Sequence, residues 1–576
     1  MIRFPEFPRS FAEARSWSWV WDALVFCGIF AVFSVVLLIG RYWLGAAMPA
    51  AEISRSPRML PLYSLYSLVR IAIAYVLSLI FAVGYGYIAA YNRRLQPFMI
   101  AVLDILQSIP VLSFLPGVML AMVSLFPTRQ LGIEMGAIVL IFTGQVWNMA
   151  FSFYSSLKSI PRELREASKI YGFSAWQRFF QLELPYGTIG LVWNSMVSVA
   201  GGWFFLMACE MFVLGKRDFR LPGLGSYLQT AAGAGDTVSM MWGLAAMIGI
   251  IVLLDQVVWR PVIAWSDKFK FEQVESAHGS GSPILDLLRR SRLLESWQAK
   301  ITTPLWERLN RHFAHRPVEK KEGTPVWIPQ MIGMVLGAAV LAGMGWAGMQ
   351  AFHLLRGING ADVTGTLHAA LITFLRVNAA LILASLWTIP AGVAIGFHPR
   401  LARIAQPLSQ IAASVPATAL FPVLLLAIIS AGGGLGVGAI LLMLLGTQWY
   451  ILFNVIAGAI AIPSDLKEVA ALFRFRSIDK WRTLILPGIF PYLVTGLVTA
   501  SGGAWNASIV AEYFHFQDHL LSTFGLGAQI SAATDAGRFD TLLLATIVMA
   551  ALVVSVNRLV WRPLYRLAET KYRLET

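Results

Sequence analysis

Charge is scarce in this sequence. Of 576 residues, 13% are Asp, Glu, Lys or Arg and 57% are hydrophobic. Soluble globular chains carry about 25% charged residues, so a large water-soluble core is excluded. Cysteine is nearly absent. Cys27 and Cys209 are the only two, each inside an apolar run, which excludes a disulfide framework and a thiolate metal site. The phosphate-binding pattern G-x-x-x-x-G-K-[ST] is missing as well. The glycine clusters at 223–225 and 432–434 adjoin apolar segments and are not followed by Lys-Ser or Lys-Thr, so any ATP the system uses is bound elsewhere. The eight histidines are scattered. His515 and His519 stand four apart without further ligands, so no metal is expected.

What the chain has in abundance is long apolar sequence. Runs of spanning length read at about 23–41, 66–90, 98–125, 132–155, 187–213 and 239–259, then at 328–352, 370–396, 403–430, 434–460, 489–512 and 540–561. A helical span needs about 20 apolar residues. The runs are continuous rather than alternating, which selects helices over a barrel. The net charge of +14 comes from Lys and Arg flanking these runs. That is the positive-inside pattern, not a nucleic-acid stripe, and no nucleic-acid partner is expected. Arg93, Arg94, Lys158, Arg162, Arg165, Lys169, Arg178 and Arg260 fall on one side, which places both termini in the cytoplasm. The run Leu24 to Gly40 is long for a signal core, and its second-half counterpart is internal.

The chain is a duplication. Pro185 and Pro487 stand 302 positions apart, as do Glu166 and Glu468, Trp203 and Trp505, and Glu210 and Glu512. Gly223-Leu224-Gly225 returns as Gly525-Leu526-Gly527, and Trp259-Arg260-Pro261 as Trp561-Arg562-Pro563. Earlier in each half the offset is 306: Arg70 with Arg376, Ser108 with Ser414, Pro110 with Pro416. The halves run the same way, so each holds an even number of spans, a parallel repeat rather than an inverted one. The expected fold is therefore an all-α polytopic membrane protein of two parallel repeats, about six helices each. The expected divisions are an interfacial segment 1–22 carrying Phe4, Phe7, Phe11, Trp17 and Trp19, a first half 23–265, a polar linker 266–327, a second half 328–564 and a tail 565–576. The linker reads either as a tether or, from the spacing of Leu285, Leu288, Leu294, Trp297, Ile301, Leu305 and Leu309, as a surface helix that docks.

One loop in each half stands out, 160–185 and 462–487. The first reads Arg165-Glu166-Ala167-Ser168-Lys169-Ile170-Tyr171-Gly172 and continues to Leu182-Glu183-Leu184-Pro185. Pro161 and Glu163 suit a helix start and Gly172 its sharp end. The second copy, Glu468-Val469-Ala470 through Leu486-Pro487, has Arg474 where the glycine stands. Arginine resists positive φ, so that turn is expected to differ. These loops resemble the EAA loop of ABC importer permeases. The elements Leu68–Arg70 and Phe374–Arg376, Ser108–Pro110 and Ser414–Pro416, and the glutamates followed by Gly-Leu-Gly resemble the nitrate, sulfonate, taurine and bicarbonate branch. The resemblance implies a type I importer permease with both halves fused. Glu166, Ala167, Gly172, Pro185, Glu468, Ala470, Arg474 and Pro487 would couple it to two ABC ATPase subunits, a homodimer. ATP and Mg would be bound there and no cofactor in this chain. A soluble periplasmic or lipid-anchored binding protein would deliver a small-molecule substrate, in a bacterial inner membrane.

Candidate pathway residues are Arg70, Gln107, Gln145, Asn194, Trp203, Glu210, Arg376, Gln448, Trp505, Asn506 and Glu512. Intramembrane acids are functional candidates by default. Two readings of Glu210 and Glu512 stand open: pathway groups, or structural acids bonded to backbone or arginine. Arg70 and Arg376 read as anion-passing groups, or as interface anchors paired with those acids. The amides and tryptophans also read as helix packing. The halves differ at Phe204 and Asn506, which allows an asymmetric pocket. A gradient-driven secondary transporter and a polytopic membrane enzyme are the competing classes. The first lacks an account of the two loops, and the second lacks a cluster of catalytic residue types.

Overall fold

The computed structural model describes residues 52–126, 129–214, 217–269, 351–430, 432–516 and 519–571, with scattered positions between 300 and 350. The segment 1–22, the expected span 23–41 with Cys27, nearly all of the span 328–352 and most of the linker lie outside the described residues.

The first half contains α1 (Leu60–Tyr91), α2 (Gln96–Ser108), α3 (Leu115–Leu125), α4 (Arg129–Ser159), the short α5 (Arg162–Ile170), α6 (Leu184–Glu210), α7 (Leu224–Gly233) and α8 (Thr237–Leu254). The second repeats the order as α9 (Gly360–Phe397), α10 (Pro399–Ser414), α11 (Ala417–Ser430), α12 (Leu435–Ala461), α13 (Ser464–Leu472), α14 (Leu486–Ala511), α15 (Leu526–Asp535) and α16 (Phe539–Val556). Among the described residues, eight helices are long and apolar enough to cross a membrane. The only strands there form two small antiparallel hairpins, β1 (Val213–Leu214) with β2 (Arg217–Asp218) and β3 (Tyr513–Phe516) with β4 (His519–Ser522). His515 and His519 therefore lie on facing strands, not on one helical turn.

The third expected span of each half is not a single helix. Gln96–Gln107 and Val111–Leu125 are bent by 86°. The cause is local: Ile109 precedes Pro110 and is extended at ψ 132°, and Val415 precedes Pro416 at ψ 118°, as proline demands of its predecessor. Both breaks reach the opposite half. The amide of Leu112 donates to Asn506 Oδ1 on α14, 3.5 Å away, and α11 packs on α6. Duplication extends to fine detail. π-helical turns occur at Phe179–Glu183 and Trp481–Ile485, and at Asp255–Trp259 and Asn557–Trp561.

Small residues set the packing. The buried stripe of α1 includes Ser67, Ala74, Ser78, Ala82 and Gly86; that of α9 includes Thr373, Ala380, Ala384, Thr388 and Gly392. These let α4 and α12 approach closely, the usual means of helix association where lipid removes the hydrophobic drive. A Cβ on Gly86 would lie 3.1 Å from Ala150 O. The opposite faces are apolar and exposed, with Leu65, Val76 and Ile80 on α1 and Leu371, Ile382 and Leu386 on α9, as lipid contact requires.

Candidate functional site

At one end of each half a glutamate closes a knot between three elements. Glu210 ends α6 and is fully buried. Its Oε1 accepts from Ser67 Oγ at 2.7 Å and from Arg70 Nη1 at 2.8 Å, and its Oε2 accepts from the Gly225 amide at 2.7 Å. Arg70 also donates to Pro222 O and, through Nε and Nη2, to Glu134 at 2.6 and 2.7 Å. Glu512 repeats this. It accepts from Thr373 Oγ1, from Arg376 Nη1 at 2.8 Å, and from the Gly527 amide at 2.9 Å. The Gly-Leu-Gly motif follows from sterics. A Cβ on Gly223 would meet the Glu210 carboxylate at 2.3 Å, and one on Gly525 would meet that of Glu512 at 2.2 Å. Ser67 and Thr373, 306 apart, were signals present in the repeat and missed.

The two knots differ in one charge. Among the described residues Arg376 has no second carboxylate; its Nη2 donates to Thr523 Oγ1 at 2.8 Å. A Cβ on Gly436 would lie 4.0 Å from that Nη2, so glycine leaves open the side that Glu134 fills on Arg70.

The remaining candidates are spread along the helices. Gln107 is exposed and donates from Nε2 to Asn148 Oδ1 at 2.8 Å. Gln145 is buried, and neither side-chain polar atom has a hydrogen-bond partner among the described residues; a Cβ on Gly202 would meet its Nε2 at 2.3 Å. Asn194 and Asn506 are half-buried and donate back to Gly190 O and Gly502 O of their own helices. Gln448 accepts from Trp387 Nε1 at 3.2 Å. Trp203 and Trp505 are buried in the core. The structure brings Arg70 together with Glu210, and Arg376 with Glu512, but does not gather the amides and tryptophans into one cluster.

At the opposite end, α5 and α13 present exposed glutamates, Glu166 and Glu468. Each helix ends in the same left-handed turn. Gly172 has φ 64° and Arg474 has φ 48°, the only positive φ of a non-glycine among the described residues. The expectation that Arg474 changes the turn is therefore corrected. The Phe173 amide donates to Ser168 O at 2.9 Å, and the Phe475 amide to Ala470 O at 3.1 Å. The closing hydrogen bond, with Ala470 buried beneath it, holds an arginine where glycine is preferred. Arg474→Gly should relieve roughly 0.5–1 kcal/mol of local strain. Slower amide exchange at Phe475 is the expected result; equal or faster exchange would show that Arg474 is unstrained.

The turn leaves bulky apolar side chains standing in solvent. Ile170 is 83% exposed, Tyr171 78%, Leu472 80% and Phe473 69%. The loops are anchored differently. In the first, buried Glu183 accepts from Tyr91 Oη at 2.5 Å and from Arg178 Nε at 2.9 Å. In the second, the corresponding residues are Ile485, Phe397 and Lys480, and both Lys467 and Lys480 lie over the Phe397 ring. Burial, and then the charge of Lys480, hold the Lys467 ammonium below its usual pKa. Among the described residues, the linker touches the first loop, where Trp176 Nε1 donates to Asn310 Oδ1 at 3.0 Å. Ile478, the residue that corresponds to Trp176, is exposed. Pro185 and Pro487 follow the π-helical turns Phe179–Glu183 and Trp481–Ile485 within helices that run on from Ala175 and Ser477, and the wider turn accommodates the missing N–H and the proline ring.

A duplicated bundle of spanning helices, with one short amphiphilic helix projecting from the same end of each copy, is the architecture of a transport permease. The chain belongs to the family of binding-protein-dependent transport system inner membrane components, whose model matches residues 82–258 and again 388–563. Among similar curated proteins, the nitrate import permease NrtB of Leptolyngbya laminosa is 28% identical over 185 residues, 32% of this chain and 63% of that one. The bicarbonate transport permease CmpB of Synechococcus elongatus is 28% identical over the same shares of each chain. The taurine transport permease TauC of Escherichia coli is 28% identical over 195 residues, 33% of this chain and 66% of that one. The matched region thus spans somewhat less than two thirds of each of these three relatives.

Proposed function

We propose that this chain forms the whole translocation pathway of an ATP-driven importer, its two fused halves doing the work of a permease dimer. Two ATPase subunits dock on α5 and α13 from the cytoplasm, where both termini also lie. A binding protein delivers solute at the opposite face, beside the two arginine–glutamate knots. The observation that carries this reading is the pair of equivalent loop helices, each ending in a left-handed turn that holds two large apolar side chains in water. Such exposure is costly for a soluble surface and typical of a covered one. ATP binding by the partners favours one of two arrangements of the halves, and the loops transmit that preference. The names of the nitrate, bicarbonate and taurine relatives support a small anion as the solute.

The test is ATP hydrolysis in proteoliposomes containing this chain, the ATPase encoded beside it and the binding protein. Glu166→Arg and Glu468→Arg should each lower permease-dependent hydrolysis about tenfold, equivalent to about 1.4 kcal/mol of lost coupling. If no ATPase associates with the wild type and both variants behave like it, the importer reading fails and a gradient-driven transporter replaces it.

A further inference from the structure

The two halves meet around a residue that breaks their symmetry. Parallel repeats are related by an axis along the membrane normal. Gly201 on α6 and Gly503 on α14 are equivalent positions, 302 apart. Both touch one side chain, Tyr450 of α12. Its ring packs on Gly503 of its own half, with Cε2 3.5 Å from a Cβ built there, and its hydroxyl lies 3.9 Å from a Cβ built on Gly201 of the other half. A group that reaches equivalent positions on both halves lies beside their axis. The phenol oxygen has no hydrogen-bond partner among the described residues, and the side chain is half-buried. A Cβ on Gly201 would meet only the Tyr450 hydroxyl, at ordinary contact distance, so the phenol is the group that this face of α6 meets across the halves.

The position equivalent to Tyr450 in the first half is Asn148, which is smaller and bonded sideways to Gln107. One tyrosine fits at the axis; two related tyrosines would compete for the same space. A dimer of identical subunits has two or none, whereas a fused chain can carry one.

We propose that Tyr450 is the central plug of the pathway, closing it where the halves meet and withdrawing when they part. The assignment rests on the pathway lying between the halves, as the proposed function has it. An aromatic constriction blocks a hydrated anion by leaving no room for its water shell.

The experiment is passive nitrate efflux from proteoliposomes of the full chain, without ATPase or binding protein. Tyr450→Asn copies the residue of the first half, and Tyr450→Ala empties the position. Both should raise efflux roughly tenfold or more, while Tyr450→Phe, which keeps the ring, stays at the wild-type rate. Each variant is first matched to wild type by elution profile and melting temperature, and Tyr450→Asn serves if Tyr450→Ala does not fold. Folded Asn and Ala variants as tight as wild type would overturn the plug. So would a Phe variant that leaks as they do. Because the assay contains no ATPase, its result is independent of whether the coupling reading survives.

Discussion

Glu512→Leu should be the most damaging single change at the end of the molecule that carries the two arginine–glutamate knots, and more damaging than Glu210→Leu. Each substitution removes a fully buried carboxylate that accepts from a hydroxyl, a guanidinium and a helix N-terminal amide. Removing one member of a buried pair costs about 3–5 kcal/mol, because the charge left behind is not resolvated. The halves differ in what is left behind. After Glu210 is lost, Arg70 keeps Glu134 on its other side. After Glu512 is lost, Arg376 has no carboxylate among the described residues. For halves of this size the difference from wild type should reach on the order of 10 °C in melting temperature for Glu512→Leu. Adding Arg376→Met should recover part of it, since a pair removed together leaves no orphaned charge. Melting in detergent, with the double-mutant cycle, reads this directly. Equal melting temperatures for the two single variants would show that Glu134 does not compensate, and a double variant no better than Glu512→Leu would remove the orphaned charge as the cause.

The sequence carried these knots further than composition alone suggests. Offsets of 302 and 306 paired Arg70 with Arg376 and Glu210 with Glu512 before any geometry was known. Continuous apolar runs located most of the long helices to within a few residues, although α1 starts six residues and α9 ten residues before the run that marked it. What could not be read was anything that depends on contacts between elements distant in sequence. The Gly-Leu-Gly motif stood only as a repeated family element, without a reason for its glycines; Gly223 and Gly525 have extended backbones and are required because a carboxylate occupies the space of their Cβ. The broken third span was hidden because proline before an apolar run leaves hydropathy unchanged while bending the axis. Arg474 was misjudged for the opposite reason. A local steric preference of about 1–2 kcal/mol was given more weight than the hydrogen bond and burial that close the same turn in both copies. The replacement of Tyr91, Glu183 and Arg178 by Phe397, Ile485 and Lys480 was legible as a coordinated change, since a buried glutamate and the phenol bonded to it vanish together, but only after the offsets are applied across the whole repeat.

Reversing the character of the loop tips should have an effect as large as losing a knot, on assembly rather than on folding. Ile170 with Tyr171, and Leu472 with Phe473, stand outside the fold at the ends of α5 and α13. Changing either pair to glutamate loses one ring contact at the exposed tip, Tyr171 with Phe173 or Phe473 with Phe475, and nothing in the core, so the permease should melt close to wild type. Burying a large apolar side chain is worth about 1.5–3 kcal/mol, and two at the centre of a docking surface act as its anchors. Each double change should therefore weaken ATPase capture roughly a hundredfold, about 2.8 kcal/mol. The loops are not equivalent in their surroundings. Trp176 beside the first is held by Asn310 of the linker, whereas Ile478 beside the second is bare. Among the described residues, the linker therefore stands beside α5 and not beside α13, and there the Leu472–Phe473 pair has no such neighbour to share its load. Titrating purified ATPase against the immobilised permease separates the cases. The Leu472→Glu/Phe473→Glu variant should lose more affinity than Ile170→Glu/Tyr171→Glu, with hydrolysis lost in both if the two proposed ATPase subunits act as a pair. Full affinity in both variants would mean that the partner does not touch these tips, and the exposed side chains would then need another cover.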